Sequence, residues 1–207
     1  MSLRVLCGER LKRICDNSSR FRSFPTVKFF LREVQWLRRP PSVPGRYRVW
    51  LDDRGSLTRR IEQHCSDFRV KVLSQRRARV NGDEGVIWPY GLRRLAWVRE
   101  VYLMCRRTPV VFAHSVIDPK ALHGAWRRLQ RLGNRPLGAV LFADPRIRRF
   151  PLRQKKLNRN HPLYRRACAA LRTRPPHLWA RRSLFTLRGM PILVTEVFLP
   201  EILRLAR

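Results

Sequence analysis

Acidic residues are scarce in this chain: 14 Asp and Glu stand against 46 Lys and Arg, a formal net charge of +32 over 207 residues. Lysine is scarce too, because all but six of the basic residues are Arg. Such a charge points first to nucleic acid or another polyanion. The Arg residues, however, run the full length in doublets such as Arg38-Arg39, Arg106-Arg107 and Arg181-Arg182, and no single arm or face collects them. Drift toward Arg and a selected anion-binding surface explain this equally well. No stretch approaches the roughly 18 uncharged apolar residues of a membrane span, so none is expected. Cysteine is limited to Cys7, Cys15, Cys65, Cys105 and Cys168, an odd set without C-x-x-C spacing. Nor is there a secretory apolar segment with a cleavage site. A zinc site and a disulfide framework are therefore not expected, and a reducing cytoplasm is the compartment that fits. Gly-rich phosphate loops, a Ser/His/Asp order and metal-spaced His/Cys/Asp sets are all missing, which removes support for nucleotide-binding and zincin mechanisms.

What the chain does have is core-forming capacity, at 44% hydrophobic and 10% aromatic residues. Residues 1–47 read as a basic, weakly patterned extension, poorly ordered or irregular, that ends in the Pro-rich RRPPSVPGR (38–46). The folded domain is expected over 48–207. Asp53 or Ser56 is placed to cap a short helix from Leu57. Residues 68–80 alternate as strands do. LAWVREVYLM (95–104) and VVFAHSVI (110–117) read as a β-hairpin around RRTP, and SLFTLR and ILVTEVFL as a second hairpin at the C-terminus. Between them, Leu122, Trp126, Leu129 and Leu132 recur at helical intervals before Gly133, and RPLGAVLF begins a shorter element. Strands outnumber helices and short turns join them. The expected class is α+β: a single antiparallel sheet with flanking helices.

Three residues stand out on the strands. Glu196 lies mid-strand in LVTEVFLP, with Ile192, Val194 and Phe198 on its face and apolar residues on the other. An unpaired carboxylate there would cost several kcal/mol, so it pairs with an Arg, opens to solvent, or faces something enclosed. Arg99 shares a face with Trp97, Val101 and Leu103, and so either pairs with a carboxylate (Glu196 among them) or binds an anion from solution. His114 lies on the Val110, Phe112, Val116 face, where a lone histidine is more often a hydrogen-bonded core residue than a catalyst.

Taken together, WVREVYLM (97–104), PVVFAHSVI (109–117), LQRLGNRPLGAVLF (129–142) and LWARRSLFTLRGMPILVTEVFLP (178–200) closely resemble the bacterial chorismate pyruvate-lyase family, and GSLTRRIEQ (55–63) matches its upstream segment. The resemblance spans roughly residues 48–200. It implies cofactor-free cleavage of chorismate to 4-hydroxybenzoate and pyruvate, an oxo-acid-lyase reaction that supplies the ubiquinone ring. It also implies a sheet that encloses an internal ligand cavity beneath helical flaps. By the same resemblance the carboxylate-binding Arg falls on Arg99, backbone amide donors on Leu57 and Leu137, and the acid that meets the ring hydroxyl on Glu196. No metal, nucleic-acid partner or membrane span is implied, and a cytoplasmic monomer is. A second Arg common in the family falls at His114, so either a protonated His114 meets the substrate or another Arg reaches in. The rival readings are a non-catalytic ligand-binding domain of the same fold and a basic nucleic-acid-binding protein.

Overall fold

Period-two patterning produces seven strands in the computed structural model, which describes residues 36–85 and 95–205. They are β1 (Phe68–Arg79), β2 (Leu95–Cys105), β3 (Thr108–Ile117), β4 (Arg148–Arg149), β5 (Arg153–Leu157), β6 (Leu178–Leu187) and β7 (Met190–Phe198). One sheet holds them all in the order β1-β2-β3-β7-β6-β4, with β5 also paired to β6, and every pairing is antiparallel. This is the expected α+β class. The short helices are α1 (Gly45–Leu51), α2 (Leu57–His64), α3 (Leu137–Ala143) and α4 (Pro162–Ala167). No helix among the described residues is long and apolar enough to cross a membrane.

The C-terminal hairpin turns on Arg188 and Gly189, both at positive φ (50° and 75°), so that Leu187 faces Met190. Two successive positive φ values make the mirror-image turn whose twist matches paired strands. This tight turn sets the register of the hairpin, and β7 then docks against β3 from Val111–Phe198 to Ile117–Ile192. Phe198 and Val111 are fully buried; each such side chain contributes about 1.5–3 kcal/mol of transfer free energy.

The sheet's two faces bury different things. Above one face, α1 and α2 pack an apolar cluster around Trp50, Leu51, Ile61 and Val101, while α3 and two 3₁₀ turns pack another around Trp126, Leu129, Phe185 and Ile192. The opposite face carries Tyr102, Phe112 and Val197 under α4.

Three expectations change in three dimensions, and one left open is decided. The helix expected over 120–132 is two 3₁₀ turns, Pro119–His123 and Arg127–Arg131, because Gly124 interrupts it; its apolar residues are nonetheless buried. Ser56 is the cap of α2, accepting from Arg59 N, while Asp53 instead accepts from Gly55 N and pairs with Arg60. The Pro-rich stretch is irregular but not a free linker. Ahead of it Trp36 is buried, the Arg182 guanidinium lies 4.2 Å from the centre of its ring, and Leu37 exchanges backbone hydrogen bonds with Gln154. Residues 1–35 of the basic extension lie outside the described residues. Finally, Cys65 and Cys105 form a disulfide with Cα atoms 5.8 Å apart. Linear spacing gave no sign of it, but Cys65 ends α2 three residues before β1, whose Phe68 lies opposite Cys105.

Candidate active site

On the α2/α3 face the two apolar clusters leave a cavity between them. Its floor is the sheet: Arg99 and Val101 from β2, Ala113 and Ser115 from β3, Val194 and Glu196 from β7, and Arg181 and Ser183 from β6. Leu57 and Thr58 of α2 and Leu137, Gly138 and Leu141 of α3 cover it, and Arg149 enters from the far side. The strand register explains this convergence. Arg99 faces Ser115, and Ser115 faces Val194, two residues before Glu196 on the same strand face. Arg99 and Glu196 are thus two strands apart, about 10 Å laterally at the backbone.

Arg99 is 4% exposed, and no carboxylate among the described residues lies within ion-pair distance of it. Its Nη2 donates to the carbonyls of Gly133 (2.9 Å) and Arg135 (3.2 Å), and its Nε has no acceptor among the described residues. Gly133 holds φ at +55°, the left-handed region glycine occupies without penalty, and so presents its carbonyl to the guanidinium. Burial lowers the Arg99 pKa from its ordinary value. A desolvated guanidinium with an unused donor is suited to an anion that arrives from solution.

Glu196 has a protein partner. Arg181, directly opposite in the β6/β7 register, donates Nε to Glu196 Oε2 at 2.5 Å. The Arg181 side chain is buried and its Nη1 also donates to the carbonyls of Trp50 (2.7 Å) and Asp53 (2.6 Å). The carboxylate therefore sits in the cavity wall as one half of an ion pair, and Arg99 and Glu196 do not clasp each other. Arg149 completes this end. It donates Nε to Ser183 Oγ (3.1 Å) and Nη1 to the Arg54 carbonyl, and its guanidinium lies 5.3 Å from the ring centres of Phe142 and Phe185. Burial, and then repulsion from Arg181, bring its pKa down to about 10.

Leu57 and Leu137 are the first residues of α2 and α3. First-turn N–H groups have no intrahelical acceptor and remain available to a ligand. The two helices meet closely: a Cβ on Gly138 would lie 2.9 Å from Ser56 Oγ and 3.3 Å from Thr58 Oγ1. The cavity is tight. Its volume is about 40 Å³, room for a few waters.

His114 is elsewhere. As an even-numbered neighbour of Ala113 and Ser115 it faces away from the cavity, where Glu100 Oε1 lies 3.0 Å from Nδ1 and Glu84 Oε1 lies 2.9 Å from Nε2. Arg166 joins Glu100 at 2.6 Å. The expected substrate role for His114 is therefore corrected: alternation along β3 turns it into a buried charge network that ties residues 81–85 to the sheet. Burial alone would push its pKa down, but the two carboxylates raise it to about 9 from 6.5. A raised folded-state pKa contributes stability that is complete below the unfolded value and lost as pH rises through the folded one. Stability against thermal unfolding is therefore expected to fall between pH 6.5 and 9, by on the order of 3 kcal/mol in the His114 contribution. His114→Gln is expected to lower stability near pH 6 and flatten that slope; an unchanged slope in the variant would show that another group sets it.

The structure thus brings Leu57, Arg99, Leu137 and Glu196 around one cavity and leaves His114 outside it. Sequence reasoning missed Arg181 and Arg149. The first was within reach, since counting back from a two-residue turn at Arg188-Gly189 puts Arg181 opposite Glu196. The second had no local signal.

A family model described as chorismate lyase matches residues 30–207. A probable chorismate pyruvate-lyase of Nitrosospira multiformis is 56% identical over 172 residues, 83% of this chain and 96% of that protein. One from Nitrosomonas europaea is 53% identical, covering 83% of this chain and 97% of its own. Among solved structures, a transcriptional regulator of the GntR family from Enterococcus faecalis is similar over 64% of this chain and 89% of its own, with TM-score 0.44 and 11% identity, too distant to bear on function.

Proposed function

Because the chain belongs to the chorismate lyase family, we propose that it converts chorismate to 4-hydroxybenzoate and pyruvate, supplying the aromatic ring of ubiquinone. The observation that carries this reading is the polarity of the cavity: at one end a guanidinium with no carboxylate beside it among the described residues, at the other a carboxylate, with apolar walls between. Arg99 takes the ring carboxylate as a fork, with the N–H groups of Leu57 and Leu137 completing that pole. Leu57, Val101 and Leu141 grip the ring. Glu196, held by Arg181, receives the ring hydroxyl.

The chemistry asks little more. The ether carbon–oxygen bond breaks and its electron pair goes to the departing enolpyruvate oxygen. The proton on the neighbouring hydroxyl-bearing carbon is lost, and the ring becomes aromatic. Nothing is oxidised or reduced overall. Enolpyruvate then takes up a proton on carbon and becomes pyruvate. The driving force lies in the substrate, so holding the dianion in a reactive conformation supplies much of the acceleration, and fixed cations stabilise charge on the leaving group.

The test is direct. Purified protein mixed with chorismate is followed for 4-hydroxybenzoate by ultraviolet absorbance. Product formation well above the buffer rate is expected. Tight binding of 4-hydroxybenzoate without turnover would instead identify a ligand-binding relative, and binding to neither would sink the reading.

A further inference from the structure

We propose that Arg149 is the second anion site of this cavity and takes the carboxylate of the enolpyruvyl group; the inference rests on chorismate being the substrate. Three Arg and one Glu line the cavity, and Glu196 is paired with Arg181. That leaves two cations, Arg99 and Arg149, with no carboxylate within ion-pair distance among the described residues. Chorismate carries two carboxylates. A cavity matched to the product alone would need one such cation, since 4-hydroxybenzoate carries a single carboxylate.

In chorismate the ether carbon adjoins the hydroxyl carbon, so a substrate whose hydroxyl meets Glu196 and whose ring carboxylate meets Arg99 carries its second carboxylate on the Glu196 side. Arg149 is on that side. It is bonded to Ser183, which faces Val194 across β6 and β7, and Glu196 is the next residue on that face. Arg99 lies three strands from Ser183, about 14 Å at the backbone, too far to serve both carboxylates.

Nε and Nη1 of Arg149 are spent on Ser183 and the Arg54 carbonyl, and Phe142 and Phe185 fix the guanidinium. Nη2 has no protein acceptor among the described residues. A guanidinium so held loses little freedom on meeting an anion. It also stands where negative charge accumulates as the ether bond breaks, which adds stabilisation in the transition state. Arg149 thereby fills the place that alternation along β3 denies to His114.

The experiment compares chorismate kinetics with inhibition by 4-hydroxybenzoate in the wild type, Arg149→Gln, Arg149→Lys and Arg99→Gln. Arg149→Gln is expected to lower kcat/KM for chorismate roughly 100-fold while the inhibition constant for 4-hydroxybenzoate stays within about threefold. Arg149→Lys is expected to recover part of the loss, and Arg99→Gln to weaken both ligands. If a thermal melt shows Arg149→Gln unfolded, the same split is read on Arg149→Lys. Wild-type kcat/KM in Arg149→Gln, or equal losses toward chorismate and 4-hydroxybenzoate, overturns the assignment. A wild type that never turns chorismate over overturns the functional reading itself and is told apart by that control.

Discussion

Replacing Arg99 with Ala is expected to cut 4-hydroxybenzoate formation by roughly 10²–10⁴-fold while the protein still folds. The size follows from what the side chain faces. In the free protein Arg99 is almost wholly buried and, among the described residues, gives hydrogen bonds only to the carbonyls of Gly133 and Arg135 and leaves Nε without an acceptor. A substrate carboxylate would supply the missing charge and a bidentate acceptor at a desolvated site, where such bonds are about twice as strong as neutral ones. The fold is expected to tolerate the loss because two opposing changes accompany it: two carbonyls lose a donor, and an unneutralised buried cation disappears. Arg99→Lys is expected to be nearly as inactive as Ala, since an ammonium cannot reproduce the planar fork. Turnover and binding of 4-hydroxybenzoate in Arg99→Ala check this, with a melting curve beside them. Normal turnover in a folded variant would remove Arg99 from the site.

At the other pole the choice of substitution decides what is learned. Glu196→Ala would leave Arg181, 0% exposed, without its carboxylate in a cavity that already holds Arg99 and Arg149. Breaking one side of a buried pair costs about 3–5 kcal/mol, a large share of a small domain's stability, so inactivity of this variant would be hard to tell from unfolding. Glu196→Gln keeps the shape and an acceptor for Arg181 Nε. It is expected to remain folded with a smaller fall in melting temperature, and to lose roughly 100-fold or more in kcat, because a neutral amide cannot hold the substrate hydroxyl as a carboxylate does. Melting curves of both variants and turnover of Glu196→Gln test this together. A folded Glu196→Gln that makes product at the wild-type rate would show that the carboxylate only anchors Arg181.

The antiparallel sheet, both hairpins and the cap of α2 were legible because each is encoded locally: alternation along β2, β3 and β7, a Ser three residues before a donor N–H, a turn where φ must be positive. Family resemblance then singled out Leu57, Arg99, Leu137 and Glu196, and all four border the cavity. The helical spacing over 120–132 identified which residues are buried but not the conformation, because a single Gly124 divides a run whose apolar period stays intact.

What remained hidden depends on separations that only folding removes. Cys65 and Cys105 are 40 residues apart in the chain and bonded in space. Arg149 is 50 residues from Arg99 in sequence, and it shares a cavity with Arg99 only because β6 lies between β7 and β4 in the sheet. Alternation could say that His114 and Ser115 face opposite ways, but not which way the cavity lies; packing of α2 and α3 on one face decided that. The sequence alone determined β1, β2, β3, β6 and β7, the two hairpins and the family, since those rest on short-range sterics and residue pattern, whereas the short β4 and β5 carried no such pattern. Only the tertiary structure decided which Arg neutralises Glu196 and which cavity cations have no carboxylate beside them among the described residues, because charge pairing depends on distance through space and not on order along the chain.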